Sequence, residues 1–384
     1  MPYEAKKLSK IRPSGIRKIF DLAQGMEGVI SLGLGAPDFS TPEPLIEAMI
    51  KALKDGYTSY SPNLGYLELR EQIVKKYQDE YNLNYESDEI CITCGAAEAL
   101  LDVFLAFLNP KDEVLIPDPG FLTYPAQVIL AGGIPKPYPL FEKHDFKIDA
   151  NNLNELITPK TKMIVLNFPS NPTGAVMEEK ELNKVAKIAE DNDLLVFSDE
   201  CYEKLIYDGL NHVCLASLGI QDRTIVVNSF SKTFSMTGWR IGYIVAKLDL
   251  MKSIFKTHQM NTACANSAAQ IAVLKGLKSS QDFSTDMVKE FDNRRKIIVN
   301  GLNKIPGIKC FMPKGAFYAF PNINGTGMTS PEFSEFLIEK VKVATVPGNE
   351  FGDYGEGYIR LAYTVSVEKL SEALDRISHA LSEK

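Results

Sequence analysis

The stretch Ser229-Phe230-Ser231-Lys232-Thr233-Phe234-Ser235-Met236-Thr237-Gly238-Trp239-Arg240 follows an apolar, β-branched run, Thr224-Ile225-Val226-Val227. It reads as a buried strand that ends in a turn carrying chemistry. One lysine sits among small hydroxyl residues, with an arginine eight positions further on. A lysine amine can form a Schiff base with an aldehyde. Serine hydroxyls and the planar arginine fork can bind phosphate oxygens. Taken alone, the lysine is an ordinary solvated charge, so its neighbours in the fold must decide.

Working outward, other short apolar runs alternate with amphipathic segments. Glu89–Cys94, Glu113–Ile116, Met163–Leu166 and Leu194–Phe197 are strand-like, and Ala97–Leu108 and Glu179–Asn192 are helical. The uniformly apolar strands fit burial on both faces. This is the rhythm of an α/β protein, a mostly parallel sheet between helices. The tail differs. A long charged helix over Ser284–Asn303 precedes strand-like Phe317–Phe320, Val343–Val346 and Tyr358–Ala362, and a helix from Val367 to Leu381 ends it. The pattern predicts a large domain over 46–283 and a smaller α+β domain over 284–384. Residues 1–45 are too few for a domain and are expected to pack on the tail.

Composition narrows the class. The chain has 384 residues, 45% of them hydrophobic, enough for a large core. Its net charge is −7 without a run of like charges, which argues against nucleic acid and anionic membrane as partners. No apolar stretch of about 20 residues suggests a membrane span. Met1–Lys7 lacks a signal-peptide core, so a cytoplasmic protein is expected. Cys91 and Cys94 sit three apart on one strand-like run, where side chains point to opposite faces. No second Cys or His pair completes a zinc set. The four histidines are scattered, and no metal is expected.

In an open parallel sheet, ligands bind beyond the carboxyl ends of the strands. After 89–94 come Gly95, Ala96 and Ala97, a small turn opening a helix whose free N–H groups suit a phosphate. After 113–116 comes Phe121, a flat face. After 163–166 a Pro/Asn/Gly turn presents Asn171. After 194–197 come Asp199, costly to bury unless paired, and Tyr202. After 224–227 come Ser229, Ser231, Lys232 and Arg240. Singly these are ordinary turns. Together they match pyridoxal phosphate, which needs a phosphate cradle, an amine for its aldehyde, a carboxylate for its ring nitrogen and neutral donors for its ring oxygen.

At this point the chain resembles the fold type I pyridoxal-phosphate enzymes, and within them the class I/II aminotransferases of the aspartate and aromatic amino acid kind. The resemblance runs from Ile30-Ser31-Leu32-Gly33-Leu34-Gly35-Ala36-Pro37-Asp38-Phe39 to Gly357-Tyr358-Ile359-Arg360-Leu361. It includes Asn167–Gly174, Ser198–Tyr202, Pro313-Lys314-Gly315-Ala316-Phe317-Tyr318 and Val346-Pro347-Gly348. It implies the pyridoxal-phosphate-dependent transferase fold, with Lys232 as the Schiff-base lysine and Asp199 keeping the ring nitrogen protonated. Asn171 and Tyr202 would bond the ring oxygen, and Phe121 would stack on the ring. Gly95, Ala96, Ala97, Ser229, Ser231 and Arg240 would hold the phosphate, with Ala97 offering only a backbone N–H where some relatives carry a polar contact. Tyr60 would reach the phosphate of a neighbouring subunit, so a homodimer with shared active sites is implied. Arg360 would grip the substrate carboxylate, aided by Gly35 and Asn171.

The resemblance also implies a reaction. Lys232, freed as a base, moves a proton from the substrate Cα, and ping-pong kinetics follow. A lowered lysine pKa is needed, and desolvation and Arg240 both push that way. Three other readings compete. A Ser-x-x-Lys hydrolase fits Ser229–Lys232 but lacks the companion motifs. A C–S β-lyase would use the same cofactor residues. A regulator's sensor domain would need a DNA-binding module, for which the pattern leaves no room. No second cation appears around Asn261–Cys264 or near Leu105. This favours aromatic or broad neutral amino donors, with 2-oxoglutarate as acceptor, while the resemblance covers both the aspartate and the aromatic kinds.

Overall fold

The structure is a computed structural model that describes residues 3–11, 26–279 and 282–383. Residues 1–2 and 12–25 of the expected N-terminal segment lie outside the described residues. The main sheet holds β2 (Ile90–Thr93), β3 (Glu113–Asp118), β4 (Ile134–Pro139), β5 (Thr161–Asn167), β6 (Leu195–Asp199), β7 (Thr224–Ser229) and β8 (Gly242–Val245); β1 (Ile30–Ser31) belongs elsewhere. Their order across the sheet is β2-β8-β7-β6-β5-β3-β4. Only β8 runs against the rest: it is antiparallel to both β2 and β7, and the remaining pairs are parallel.

The apolar strands do fill two cores. On β5, Met163 and Val165 join the cluster holding Phe104 and Phe197, while Ile164 and Leu166 join the opposite one with Leu182 and Val185. Alternate side chains point to opposite faces, and helices cover both. Glu179–Asp191 starts with a capping box between Glu178 and Glu181.

Two strands of the main sheet escaped the sequence pattern. In β4, Pro135, Pro137 and Pro139 alternate with Ile134, Lys136 and Tyr138. Ile134 N–H donates to Asp112 (2.8 Å) and Leu140 N–H to Asp118 (2.7 Å). A period of two then turns every proline away from β3, which an edge strand tolerates. β8 is short and reversed, so the βαβ rhythm did not expose it.

The expected strand Val343–Val346 is two strands. β10 (Val343–Ala344) pairs parallel with β1, while β11 (Val346–Pro347) pairs antiparallel with β12 (Ile359–Ala362). Thr345 is the switch between sheets. Pro347, lacking an N–H, sits in the edge strand of the order β11-β12-β9, where β9 is Tyr318–Ala319. Ile30 and Leu32 share a core with Phe291, Phe317, Phe333, Leu370 and Ile377.

Candidate active site

Because β2, β3, β5, β6 and β7 run the same way, the residues after them share one rim. Register fixes the level: Asn167 faces Asp199, and Asp199 faces Val227. Thr93 and Ser229 both face Gly242. Gly242 is therefore wedged between the two turns. A Cβ there would lie 3.0 Å from Ala96 N and 2.8 Å from Asn228 O.

The phosphate-type residues converge around that wedge. Gly95 has φ +83° and caps the helix Ala96–Phe107. A Cβ on Gly95 would sit 2.7 Å from Arg240 Nη2. Arg240 donates to Thr237 O (3.0 Å) and to Cys94 O (3.4 Å), so its guanidinium lies over the turn. Ser229 caps the short helix Phe230–Thr233 by accepting from Ser231 N–H (3.1 Å), and its hydroxyl lies 2.8 Å from that of Ser231. Ala96 is half-buried. Ala97 is exposed, and its carbonyl accepts from Gln127.

Lys232 Nζ donates to Gly35 O at 2.6 Å and lies 5.6 Å from the Phe317 ring centre. Among the described residues no carboxylate pairs with it. Its side chain is partly covered, and desolvation pulls the amine down to about 8, with Arg360 and then Arg240 pushing the same way. Arg360 is the larger cationic influence, ahead of the Arg240 expected from the sequence. Gly35 must lack a side chain, since a Cβ would collide with the Tyr318 hydroxyl.

Asp199 is buried. Its Oδ2 accepts from Tyr124 Oη (2.6 Å) and its Oδ1 from Cys201 N–H (3.2 Å). Burial pushes its carboxyl up, and the Tyr124 and Cys201 donors pull it back. Phe121 packs edge-on against Tyr124, with ring centres 5.6 Å apart. Tyr202 Oη shares a hydrogen bond with Tyr318 Oη (2.9 Å), and burial drives its phenol far above its usual value.

Arg360, on β12, is 5% exposed. Its Nη1 donates to Asn171 Oδ1 (3.1 Å) and its Nη2 to Gly33 O (2.6 Å). Its guanidinium lies 4.6 Å from the Tyr318 ring centre and 4.9 Å from that of Phe351. Among the described residues its Nε has no hydrogen-bond partner. Among the described residues no carboxylate neutralises it. A buried cation on neutral acceptors is costly and calls for an anion.

These contacts bring the expected residues of the site together except Ala97, whose carbonyl contact is to Gln127, and Tyr60, which is 90% exposed. Three further members lacked an assigned role. Tyr124 was silent because its partner is distant in sequence; the clue is its place one helical turn after Phe121. Tyr318 lies within Pro313–Tyr318 but had no distinguishing pattern. Asn167 ends β5 and ties two turns together, donating to Asp199 O (3.1 Å) and accepting from Asn171 N–H (2.9 Å).

Two histidines, read as scattered, are not isolated. His258 sits with Glu98 and Asp102, and His212 with Glu200 and Glu203. Other bonds occupy both groups. His258 Nε2 donates to Asn63 O, and Glu203 already holds Lys76 (2.9 Å) and Tyr81 (2.7 Å).

A parallel-sheet rim that gathers a desolvated lysine, a buried carboxylate, a phosphate-type turn and an unneutralised arginine defines an amine-transferring enzyme of the α/β type. The model of the family "Aminotransferase class I and II" matches residues 27–377, and the chain belongs to that family. It is 44% identical over 382 residues to aromatic-amino-acid aminotransferase 2 of Thermococcus litoralis, covering 98% of both chains. It is 45% identical over 382 residues to an aspartate aminotransferase of Pyrococcus abyssi, again covering 98% of each. Among solved structures it matches an aromatic aminotransferase from Pyrococcus horikoshii with TM-score 0.91 and 43% identity, over 95% of this chain and 99% of that one. The chain is thus an aminotransferase by family, which sets aside the hydrolase and sensor readings. Among the described residues no helix is long and apolar enough to cross a membrane.

Proposed function

We propose that this aminotransferase binds pyridoxal 5′-phosphate at Lys232 and passes the amino group of an aromatic L-amino acid, aspartate or both to 2-oxoglutarate in a ping-pong cycle. The site would be shared between two protomers of a homodimer. The residues fit the cofactor. Gly95, Ala96, Ala97, Ser229, Ser231 and Arg240 would hold the phosphate, joined by Tyr60 of a second copy. Phe121 would cover the ring, Asp199 would face its nitrogen, and Lys232 would take its aldehyde as a Schiff base. Bound there, the cofactor supplies an electron sink that acidifies the Cα–H bond of an amino acid.

The protein's own groups do the rest. Arg360 presents two donors to a substrate carboxylate, a bidentate geometry that also orients Cα. Asn171, with Oδ1 committed to Arg360, keeps its amide N–H for the ring oxygen, so one side chain reports to both ligands. Burial favours the neutral carboxyl of Asp199 and outweighs the Tyr124 hydroxyl and Cys201 N–H that oppose it, so a protonated ring nitrogen facing it would supply the partner the buried carboxylate needs. Lys232, with its pKa near 8, can carry the Cα proton at neutral pH, since a general base works best near the ambient pH. We also propose the division into 1–45, 46–283 and 284–384. In its support, the last part brings Tyr318 and Arg360 to the Lys232 wall, and β1 pairs with β10.

The observation that carries this reading is a desolvated Lys232 beside a buried Arg360, neither paired with a carboxylate among the described residues. The relatives carry both aspartate and aromatic names, which supports a donor range spanning the two. The test is Lys232→Ala. It should bind pyridoxal phosphate without covalent attachment and lose transamination. Turnover near the wild-type rate would remove Lys232 from the chemistry.

A further inference from the structure

A second buried cluster lies directly behind the Gly95 turn. His258, on the helix Leu248–Asn261, is fully buried. Its Nδ1 lies 2.7 Å from Glu98 Oε1 and 3.4 Å from Asp102 Oδ2. Its Nε2 donates to the Asn63 carbonyl at 2.9 Å. A neutral imidazole has one N–H. The carbonyl takes that one, and the carboxylates at Nδ1 call for a second, so the ring is a doubly donating cation.

Each end of this ring continues into a different part of the site. Glu98 stands in the first turn of Ala96–Phe107, and its Oε2 accepts from the Cys94 backbone N–H. It therefore closes the turn beneath Gly95 and leaves the first helical N–H groups to face outward. Asn63 lies three residues beyond Tyr60. Its carbonyl is held by His258, and its amide donates to Ala263 O at 2.7 Å.

We infer that His258 is a positioning residue that ties the Gly95–Ala96 turn of one protomer to the Tyr60 arm that reaches the other protomer's phosphate. The inference rests on the proposed function for the role of both ends. One rigid ring fixes both segments, so the phosphate grip within a chain and the grip it lends to its partner are set together. His258 touches no substrate atom, and the tie it makes runs through Glu98, with Asp102 beside it, and through Asn63.

The test titrates the full-length protein, stripped of cofactor, with pyridoxal phosphate and separately with pyridoxal, which has the same aldehyde and no phosphate. His258→Gln retains one donor and loses the charge. Glu98→Gln retains the Cys94 acceptor and loses the charge from the other side, which covers the case that His258→Gln folds poorly. Each should weaken pyridoxal phosphate by about ten-fold, the scale of one charge-assisted hydrogen bond, and leave pyridoxal unchanged. A general loss of structure would weaken both ligands alike, and equal losses or no loss overturn the inference. Tyr60→Phe should also weaken pyridoxal phosphate. Combined with His258→Gln it should lose less than the product of the single losses, because both act on one arm. If Tyr60→Phe weakens binding but the losses multiply, the inference falls and the shared site stands. If Tyr60→Phe changes nothing, the arm reading falls and takes the inference with it.

Discussion

Burying an amine destabilises a fold, and Lys232 shows how much is tolerated for chemistry. Its pKa falls from 10.5 to about 8. The folded chain releases this proton near pH 8, whereas the unfolded chain holds it to about 10.5. The penalty is therefore complete below pH 8 and fades as pH rises toward 10.5. At full burial the shift corresponds to about 3 kcal/mol; the partial cover of this side chain reduces it to about 1–2 kcal/mol. Lys232→Met should stabilise the cofactor-free protein by that amount at pH 7 in urea unfolding, with the gain shrinking by pH 10. A gain that does not change with pH would contradict the desolvation argument. Arg360→Lys replaces the planar fork by a point charge and should lower kcat/KM by about 1.5–3 kcal/mol, roughly ten- to a hundred-fold. An unchanged kcat/KM would take Arg360 out of the site. Lys232 and Asp199 were legible because each follows an apolar run at a strand end, where a charge needs a reason. Tyr124 was not, because its importance lies in a hydrogen bond to a strand that the chain reaches only after two further crossovers.

At the scale of elements, the turn between β2 and its helix carries the phosphate grip. Gly95 combines a left-handed φ with a guanidinium where a Cβ would be. Gly95→Ala should cost about 1–2 kcal/mol in backbone strain and push Arg240 off the turn. Pyridoxal phosphate binding, followed by fluorescence quenching, should weaken by about ten-fold or more. Binding at wild-type strength would show that the cradle lies elsewhere. The strands that form this rim were readable from uniform burial. β4 was hidden by its prolines, which are compatible with a strand only once an edge position is known. β10 and β11 read as one strand because apolar pattern does not reveal a change of partner sheet.

At the scale of the molecule, Tyr60 is the residue that the single chain leaves unexplained. It stands in a cleft with Leu53, Tyr57 and Cys264, where Leu53, Tyr57 and Tyr60 are exposed. Aromatic exposure of this kind marks contact surfaces. The protein should sediment at about twice the 42.7 kDa chain mass at micromolar concentration. A monomer that still transaminates would remove Tyr60 from the site. The most direct test of the central claim is the visible spectrum of the purified protein incubated with pyridoxal phosphate, before and after aspartate, tyrosine, alanine and cysteine are added in separate cuvettes. A yellow band that aspartate or tyrosine bleaches, with one 2-oxo acid released per site and no acceptor present, is the predicted result. A protein that stays colourless, or a band that persists with both donors while cysteine yields pyruvate, would contradict it.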